Sequence, residues 1–170
     1  MTVISKLELN RGEFFPQLFA NESLTIFRLS ATSFRFARFL WDNINANANE
    51  DRLGWSGTQW QHYLTDPRCE FFAVYCDDEP AGCCEIVRQP KNIRAMGWSV
   101  RIKAFGLFPE FSEEGLESSL LTRMIEKSFA TGADRVTLRT SQELSPEMTQ
   151  IFLSQGFRNI TIEKKEEHLA

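Results

Sequence analysis

The sequence predicts an α/β fold, with a mixed and mainly antiparallel sheet of six or seven strands and helices on both faces. Segments 70–76 and 83–88 are apolar and flank a turn rich in Asp, Glu, Pro and Gly, a pattern typical of a β-hairpin. Residues 113–131 carry apolar side chains at 3.6-residue spacing and lie between the strand segments 98–108 and 135–139. A strand-helix-strand unit of this length predicts one parallel pair with a right-handed crossover.

The N-terminal half is predicted to supply two strands and two helices. Segment 2–9 partly alternates and indicates an edge strand, and segment 24–29 is a second strand. Thr32 or Ser33 caps a helix that runs to residue 43. A second helix runs from Ser56 to residue 65 and is ended by Asp66-Pro67. The apolar side of the first helix is predicted to consist of Phe36, Phe39 and Leu40.

The C-terminal half ends in a short helix and a last strand. Gly132 stands where a glycine cap closes the long helix. Pro146 suits the first position of a short helix that reaches Gln155-Gly156. Residues 157–163 form the last predicted strand, and residues 164–168 are predicted to be a solvated tail.

Composition predicts a single domain over residues 1–170. The chain has 170 residues, of which 42% are apolar and 25% charged, an ordinary globular balance. The net charge of -4 argues against a nucleic-acid partner, which requires a basic patch. No stretch approaches the ~20 apolar residues of a membrane span, and the first residues lack a signal-peptide pattern. We expect a cytoplasmic protein with no membrane and no nucleic-acid partner.

The cysteines predict no metal site. There are four cysteines and two histidines, and no pair of cysteines has the C-x-x-C spacing of a zinc site. Cys83 and Cys84 lie in an apolar run and are predicted to be small buried side chains. Their reduced state fits the cytoplasm.

Three segments of the chain are informative when they are taken together. They are residues 105–121 (FGLFPEFSEEGLESSLL), residues 132–138 followed by Thr140, and residues 152–157 (FLSQGF). Their order and spacing resemble the GNAT N-acyltransferase superfamily. A bacterial branch of the superfamily is similar further upstream, so that the resemblance covers nearly the whole chain. That upstream similarity rests on 38–41 (RFLW), 51–53 (DRL), Trp55-Ser56, Trp60-x-x-Tyr63-Leu64, 79–82 (EPAG) and Glu85.

The resemblance implies that acetyl-CoA or another acyl-CoA binds where the two parallel strands splay apart. The backbone of Gly106, Leu107 and Phe108 would pair with the pantetheine arm. The pyrophosphate would bind at the turn before the long helix, where backbone N–H groups and the helix dipole favour anions. The residues placed at that turn are Ser112, Gly115, Leu116, Glu117 and Ser118.

The turn departs from the family pattern of Arg or Gln, two residues, Gly, one residue, then Gly or Ala. Only Gly115 matches, because Ser112 replaces the Arg or Gln and Glu117 replaces the small residue. Each Glu near a phosphate would oppose its binding. The alternative interpretation is a self-capped helix, with Ser112 as N-cap and acidic residues favoured by the dipole.

The residues that would donate and accept protons also differ from the family pattern. Phe152 stands where many members place a tyrosine, and Arg101 stands where the branch has a Glu. Glu85 is the remaining candidate for a general base or an amine anchor. Period-two alternation places Arg101 and Lys103 on the same face of the sheet, as candidate substrate-binding groups together with Phe152. If that face is solvated, Glu85, Arg101 and Lys103 are instead a ladder of surface charges.

Three functions remain open at this stage. The first is an N-acyltransferase that moves an acyl group from acyl-CoA to a small amine, with Glu85 or water taking the proton. The second is a GNAT-like enzyme that no longer uses acyl-CoA and acts on another small molecule. The third is a non-catalytic binding or regulatory protein of the same fold. The resemblance also implies a possible homodimer.

Overall fold

The computed structural model describes residues 2–17, 23–44, 52–89, 97–112, 116–140 and 145–165. These residues form one sheet with the strand order β2-β3-β4-β5-β6-β1-β7. All neighbouring strands are antiparallel except β5 and β6. The strands are β1 (Thr2–Asn10), β2 (Leu24–Arg28), β3 (Cys69–Cys76), β4 (Glu79–Gln89), β5 (Ser99–Leu107), β6 (Arg135–Thr140) and β7 (Arg158–Lys165). The helices are α1 (Phe34–Ile44), α2 (Gly57–Leu64), α3 (Leu116–Ala130) and α4 (Pro146–Ser154).

The helices cover the two faces of the sheet, as predicted. On one face α3 and α4 pack on apolar residues of β1, β5 and β6, with Met124 and Ile125 fully buried. On the other face α1 and α2 pack on β3, β4 and β5, with Leu40 and Trp60 fully buried. The mixed α/β fold with one parallel pair is therefore confirmed. None of the described helices has the length and apolar character needed to cross a membrane.

The N-terminal strand β1 lies inside the sheet, so its prediction as an edge strand is wrong. It pairs antiparallel with β6 on one side and with β7 on the other. Alternation fixes only that one face of a strand is buried, and not how many neighbours the strand has. The predicted tail is also partly wrong, because Lys164 and Lys165 pair with Val3 and Thr2. Residues 166–168 lie outside the described part of the chain.

Helix α1 packs Leu40 and Phe36 against the core, as predicted, but not Phe39. Its buried residues are Ala37, Leu40 and Trp41, whereas Phe39 is 52% exposed. Phe39 precedes Leu40 by one residue and so points about 100° away from it around the helix. The prediction for Phe39 is therefore wrong. Its ring instead meets the edge of Phe108, with ring centroids 6.1 Å apart.

The starts of α2 and α4 agree with local capping signals. Ser56 caps α2, and its hydroxyl accepts from the Gln59 amide while the Gln59 side chain accepts from the Ser56 amide. Ser145 caps α4 by accepting from the Met148 amide. The predicted start of α3 at residue 113 lies outside the described residues, and α3 is described from Leu116.

The β3–β4 hairpin turns more tightly than predicted. Asp77 and Asp78 have φ of 47° and 70°, and β4 starts at the next residue. Two consecutive left-handed residues match the twist of a two-residue hairpin. The predicted turn over residues 77–82 is too long, because residues 79–82 already belong to β4.

The adjacent cysteines of β4 are buried, as predicted. Cys83 and Cys84 are both 0% exposed and carry free thiols. They point to opposite faces of the sheet, Cys84 toward α3 and Cys83 toward α1 and α2. Burial raises the pKa of both thiols well above the ordinary cysteine value.

We expect Ellman's reagent to label Cys76 first in the native protein. Cys76 is partly exposed, whereas Cys69, Cys83 and Cys84 are buried. The three buried thiols have raised pKa values and so form thiolate less readily at neutral pH. The folded protein should show one fast thiol, and Cys76→Ser should remove it. Rapid labelling of Cys76→Ser would contradict this assignment, and denaturant should release the remaining thiols in both proteins.

Candidate functional site

The parallel strands β5 and β6 splay apart halfway along their length. They pair from Ser99 and Arg135 to Ile102 and Leu138, over four residue pairs. Beyond Ile102, β5 continues to Leu107 on β4 alone, and β6 continues on β1. An opening therefore lies at the carboxyl ends of the two strands, where the chain leaves β5 toward α3. The predicted splayed pair is confirmed.

A β-bulge at Lys103 accompanies the start of this divergence. Glu85 of β4 pairs with Ala104, but the next residue, Ile86, pairs with Ile102. Lys103 is thus an extra residue on β5, and a bulge of this kind bends its strand. The bulge also shifts the alternation, since Ile102 and Phe105 both pack on the α3 face although they are three residues apart.

The backbone of β5 presents hydrogen-bonding groups to this opening. The Phe108 amide donates to the Ala81 carbonyl at 2.7 Å, toward β4. In an antiparallel ladder alternate residues point the same way, so Gly106 also faces β4. Phe105 and Leu107 then direct their N–H and C=O groups away from β4, toward the opening. Gly106, Leu107 and Phe108 were the residues predicted to pair with the pantetheine arm. The backbone groups of Leu107 face the opening, whereas those of Gly106 and Phe108 face β4.

Aromatic side chains fill the α3 and α4 side of the opening. Phe152 of α4 is 1% exposed, and its ring lies 5.9 Å from Phe105 and 5.2 Å from Phe157 between centroids. The ring has no hydrogen-bonding group. The structure therefore places Phe152 in the core, where it packs, and not on a surface open to substrate.

At the predicted pyrophosphate turn, the Glu117 carboxylate lies beside Ser112. The Ser112 hydroxyl donates to Oε1 of Glu117 at 2.6 Å, which ties the end of the turn to the first turn of α3. Ser112 thus uses its hydroxyl on a side chain, whereas the self-capped interpretation assigned it to a backbone amide. Leu116 and Ser118 are half-buried, and the Ser118 carbonyl accepts from the side-chain amide of Gln155 at 2.7 Å. Gly115 lies outside the described residues.

Glu85 is the counter-ion of a buried arginine. Its two carboxylate oxygens accept from Nη1 and Nη2 of Arg52 at 2.8 and 2.7 Å. Glu85 is 0% exposed and Arg52 2% exposed. The alternative of a solvated charge ladder is wrong for Glu85. The geometry also argues against Glu85 as an accessible general base, because its carboxylate is enclosed and bound on both oxygens.

Four aromatic rings surround the Arg52 guanidinium. Their centroids lie 4.6 to 5.5 Å from its central carbon, and the rings belong to Trp41, Trp55, Trp60 and Tyr63. Such cation–π contacts stabilise a charge that has been removed from water. Burial, and next the Glu85 carboxylate, raise the pKa of the Tyr63 phenol, which therefore stays protonated. Trp41 and Trp60 are buried core residues.

Arg101 and Lys103 lie on the same face as Glu85, as alternation predicts. Arg101 stands between Val100 and Ile102, which both pack on the α3 face, so its side chain points to the other. Nζ of Lys103 lies 5.7 Å from the centroid of the Tyr63 ring. No sequence pattern assigns a role to Arg52, although the residue belongs to the upstream resemblance. No spacing signal connects it with Glu85, because the pair joins a loop to a strand 33 residues away.

Solved structures share this fold at low sequence identity. A functionally unknown conserved protein from Staphylococcus epidermidis has a TM-score of 0.64 at 18% identity, over 94% of this chain and 58% of that protein. A GCN5-related N-acetyltransferase from Kribbella flavida has 0.60 at 15%, over 94% and 55%. The chain thus spans little more than half the length of these two proteins. The aminoglycoside N-acetyltransferase AAC(6')-Iy, in complex with CoA, has 0.63 at 14%, over 89% and 99%.

Sequence comparison identifies the family directly. No curated protein sequence is significantly similar to this chain. Residues 33–157, however, match the sequence profile of the acetyltransferase (GNAT) family. The match runs from the start of α1 to the end of α4 and includes the splayed pair. The chain therefore belongs to the GNAT acetyltransferase family.

Proposed function

We propose that this protein is an N-acyltransferase that moves an acyl group from acyl-CoA to a small amine. The observation that carries the proposal is the opening between β5 and β6, with backbone groups of Phe105 and Leu107 directed into it. An extended pantetheine arm carries amides that can pair with such an edge, as an added strand would. The CoA complex of the aminoglycoside N-acetyltransferase, a protein of the same fold, supports the choice of donor.

The residues of the chain would bind and orient the two reactants. Acyl-CoA supplies an activated thioester, which the amine attacks, so that a C–N bond forms and the C–S bond breaks. Backbone N–H groups of β5 at the opening would polarise the thioester carbonyl. The amine proton goes to water in this arrangement, because Glu85 is bound by Arg52. The departing CoA thiolate takes its proton from water, because the Phe152 ring has no acidic hydrogen to donate.

The predicted turn suits the pyrophosphate of acyl-CoA less well than the opening between β5 and β6 suits the pantetheine arm. The Glu117 carboxylate, bound by Ser112, stands at the N-terminus of α3, where phosphate oxygens would bind. This observation favours the second candidate, a GNAT protein that has given up acyl-CoA for another small molecule or for a binding role. A single titration separates the two candidates.

Calorimetric titration with acetyl-CoA at low salt tests the proposal. We expect a dissociation constant in the micromolar range, a binding free energy of about 8 kcal/mol. S-acetylpantetheine, which lacks the nucleotide, should bind in the same opening and compete with acetyl-CoA. An amine screen followed by chromatography of free CoA then measures transfer. No heat and no thermal shift at millimolar acetyl-CoA would reject the proposal in favour of the second candidate.

A further inference from the structure

Gln155 is a polar residue that the fold buries completely. It follows Ser154, the last residue of α4, and its exposed fraction is 0%. Its buried neighbours along the chain, Phe152 and Phe157, are both aromatic. A carboxamide in such surroundings costs free energy unless its donor and acceptor groups are paired. The partners of Gln155 therefore indicate what the residue does.

The side chain of Gln155 bonds to two residues of α3. Its Nε2 donates to the backbone carbonyl of Ser118 at 2.7 Å, and its Oε1 accepts from the hydroxyl of Thr122 at 2.9 Å. Ser118 and Thr122 are four residues apart and so lie on the same face of the helix, one above the other. The carboxamide thus connects the first and second turns of α3 to the end of α4.

The chain segment that follows β1 completes this arrangement. The Phe15 amide donates to the backbone carbonyl of Gln155 at 2.9 Å, and the Gln17 amide donates to the Thr122 hydroxyl at 3.0 Å. We call Gln155, Thr122 and residues 15–17 the α3 clamp. Three separate parts of the chain meet in the clamp, so that the position of each depends on the other two.

The α3 clamp holds the end of the helix that the chain enters from β5. Leu116, Glu117 and Ser118 are the first three residues of α3. The first N–H groups of a helix lack an acceptor within the helix, and such groups bind phosphate. A site made of fixed groups requires them to be held within about 0.5 Å of the binding geometry. The bond from Gln155 to the Ser118 carbonyl restrains this turn.

A different residue holds the other end of α3. Nη2 of Arg11 donates to the carbonyls of Phe129 and Ala133 at 2.8 and 2.6 Å. The Arg11 guanidinium also lies 5.0 Å from the centroid of the Phe129 ring. The two ends of the helix are therefore restrained independently, and each can be loosened by a separate substitution.

We propose that Gln155 is a positioning residue for acyl-CoA, which holds the first turn of α3 so that its amides meet the pyrophosphate. The role is indirect, because Gln155 is enclosed and bonds to the helix. This inference rests on the proposed function and adds a residue to its donor site. Loss of the restraint affects the part of the ligand that carries the phosphates, whereas the pantetheine arm pairs with β5.

Calorimetry of Gln155→Met with two ligands tests the inference. Methionine has a similar volume and cannot make either hydrogen bond of the carboxamide. We expect affinity for acetyl-CoA to fall about tenfold. Affinity for S-acetylpantetheine, which has no pyrophosphate, should stay as in the parent. In transfer assays the KM for acetyl-CoA should rise while kcat is retained, because the lost contact is equally strong in the ground and transition states.

Thr122→Val is a second variant that tests the same clamp. It removes the hydroxyl that bonds to the Gln155 carboxamide and should also weaken acetyl-CoA selectively, by about threefold. The double variant should lose little more than Gln155→Met alone, because both residues act through one set of hydrogen bonds. This variant carries the test if Gln155→Met does not fold.

Arg11→Met is the matched control, because it loosens the far end of the same helix. It should lower the melting temperature and leave both affinities unchanged. An equal loss of acetyl-CoA affinity in Arg11→Met would overturn the inference, since any loosening of α3 would then suffice. A parallel loss of both ligands in Gln155→Met would also overturn it, because the residue would then have only a general structural role.

The same titrations separate this inference from the proposed function. If the parent binds acetyl-CoA and Gln155→Met binds it equally well, the positioning role is wrong and the acyltransferase stands. If the parent binds neither acetyl-CoA nor S-acetylpantetheine, the acyltransferase is rejected and the positioning role with it. Selective loss in Gln155→Met and Thr122→Val, together with unchanged affinity in Arg11→Met, supports both.

Discussion

Replacement of Arg52 by methionine is expected to lower the free energy of unfolding by about 3–5 kcal/mol, because it leaves the Glu85 carboxylate buried without its partner. Glu85 is 0% exposed, and both of its oxygens are bound by Arg52. Removal of Glu85 by Glu85→Leu leaves the Arg52 guanidinium among four aromatic rings and should destabilise by a similar amount. Urea unfolding of each variant measures the change.

The double variant Arg52→Met/Glu85→Leu should recover most of the lost stability. Both charges are then gone, and two apolar side chains fill a site already lined by Trp41, Trp60 and Tyr63. The exposed ion pair of Arg68 with Asp66 is the control, with a distance of 3.0 Å and Arg68 64% exposed. Arg68→Met should have little effect. Single variants as stable as the parent would show that Arg52 and Glu85 are not paired in solution.

The ion pair also bears on the charge of the candidate site. Because Arg52 neutralises Glu85, the acidic residue expected to anchor an amine contributes no net charge to the face it shares with Arg101 and Lys103. Glu85 is therefore not placed to anchor a cationic amine.

The elements predicted correctly from the sequence are those specified by local chemistry. The 3.6-residue spacing of Leu120, Met124 and Ile125 places α3, and Ser56 with Gln59 sets the start of α2. The position of β1 between β6 and β7 depends on pairing across more than 100 residues, which alternation in residues 2–9 does not encode. Because alternation does not reveal the neighbours of a strand, it did not exclude an edge position for β1.

The candidate site was predicted only where strand alternation is regular. Alternation placed Arg101 and Lys103 on one face, and the structure agrees up to Lys103. Beyond the bulge at Lys103, the side chains of β5 point to the opposite faces from those that regular alternation predicts. The bulge arises where β5 pairs with β4, since Glu85 pairs with Ala104 and the next residue pairs with Ile102. Burial of Glu85 was missed because its partner, Arg52, lies on a loop, where no periodicity indicates which way a side chain points.

Removal of the Glu117 charge is expected to strengthen binding of acetyl-CoA. A carboxylate about 5 Å from a phosphate charge opposes it by on the order of 3 kcal/mol at an effective dielectric of about 20, and solvent reduces this at a half-exposed site. We therefore expect Glu117→Gly, which restores the small residue of the family pattern, to bind acetyl-CoA at least about tenfold more tightly. Glu117→Gln should show most of the same gain. Calorimetry measures both dissociation constants.

The control for this prediction is Glu126→Gln, which removes the same charge from α3 about 13 Å further along the helix axis. With this comparison made at about 0.15 M salt, its affinity should match the parent, because the separation then exceeds the Debye length of about 8 Å. Unchanged affinity in Glu117→Gly would mean that the phosphates bind away from the N-terminus of α3. No binding in either the parent or Glu117→Gly would mean that the turn has lost the site altogether, since the backbone amides alone would then be insufficient. Stronger binding confined to the Glu117 variants would show that the opening between β5 and β6 still accepts acyl-CoA, and that this one carboxylate, tied to Ser112 at 2.6 Å, limits the affinity.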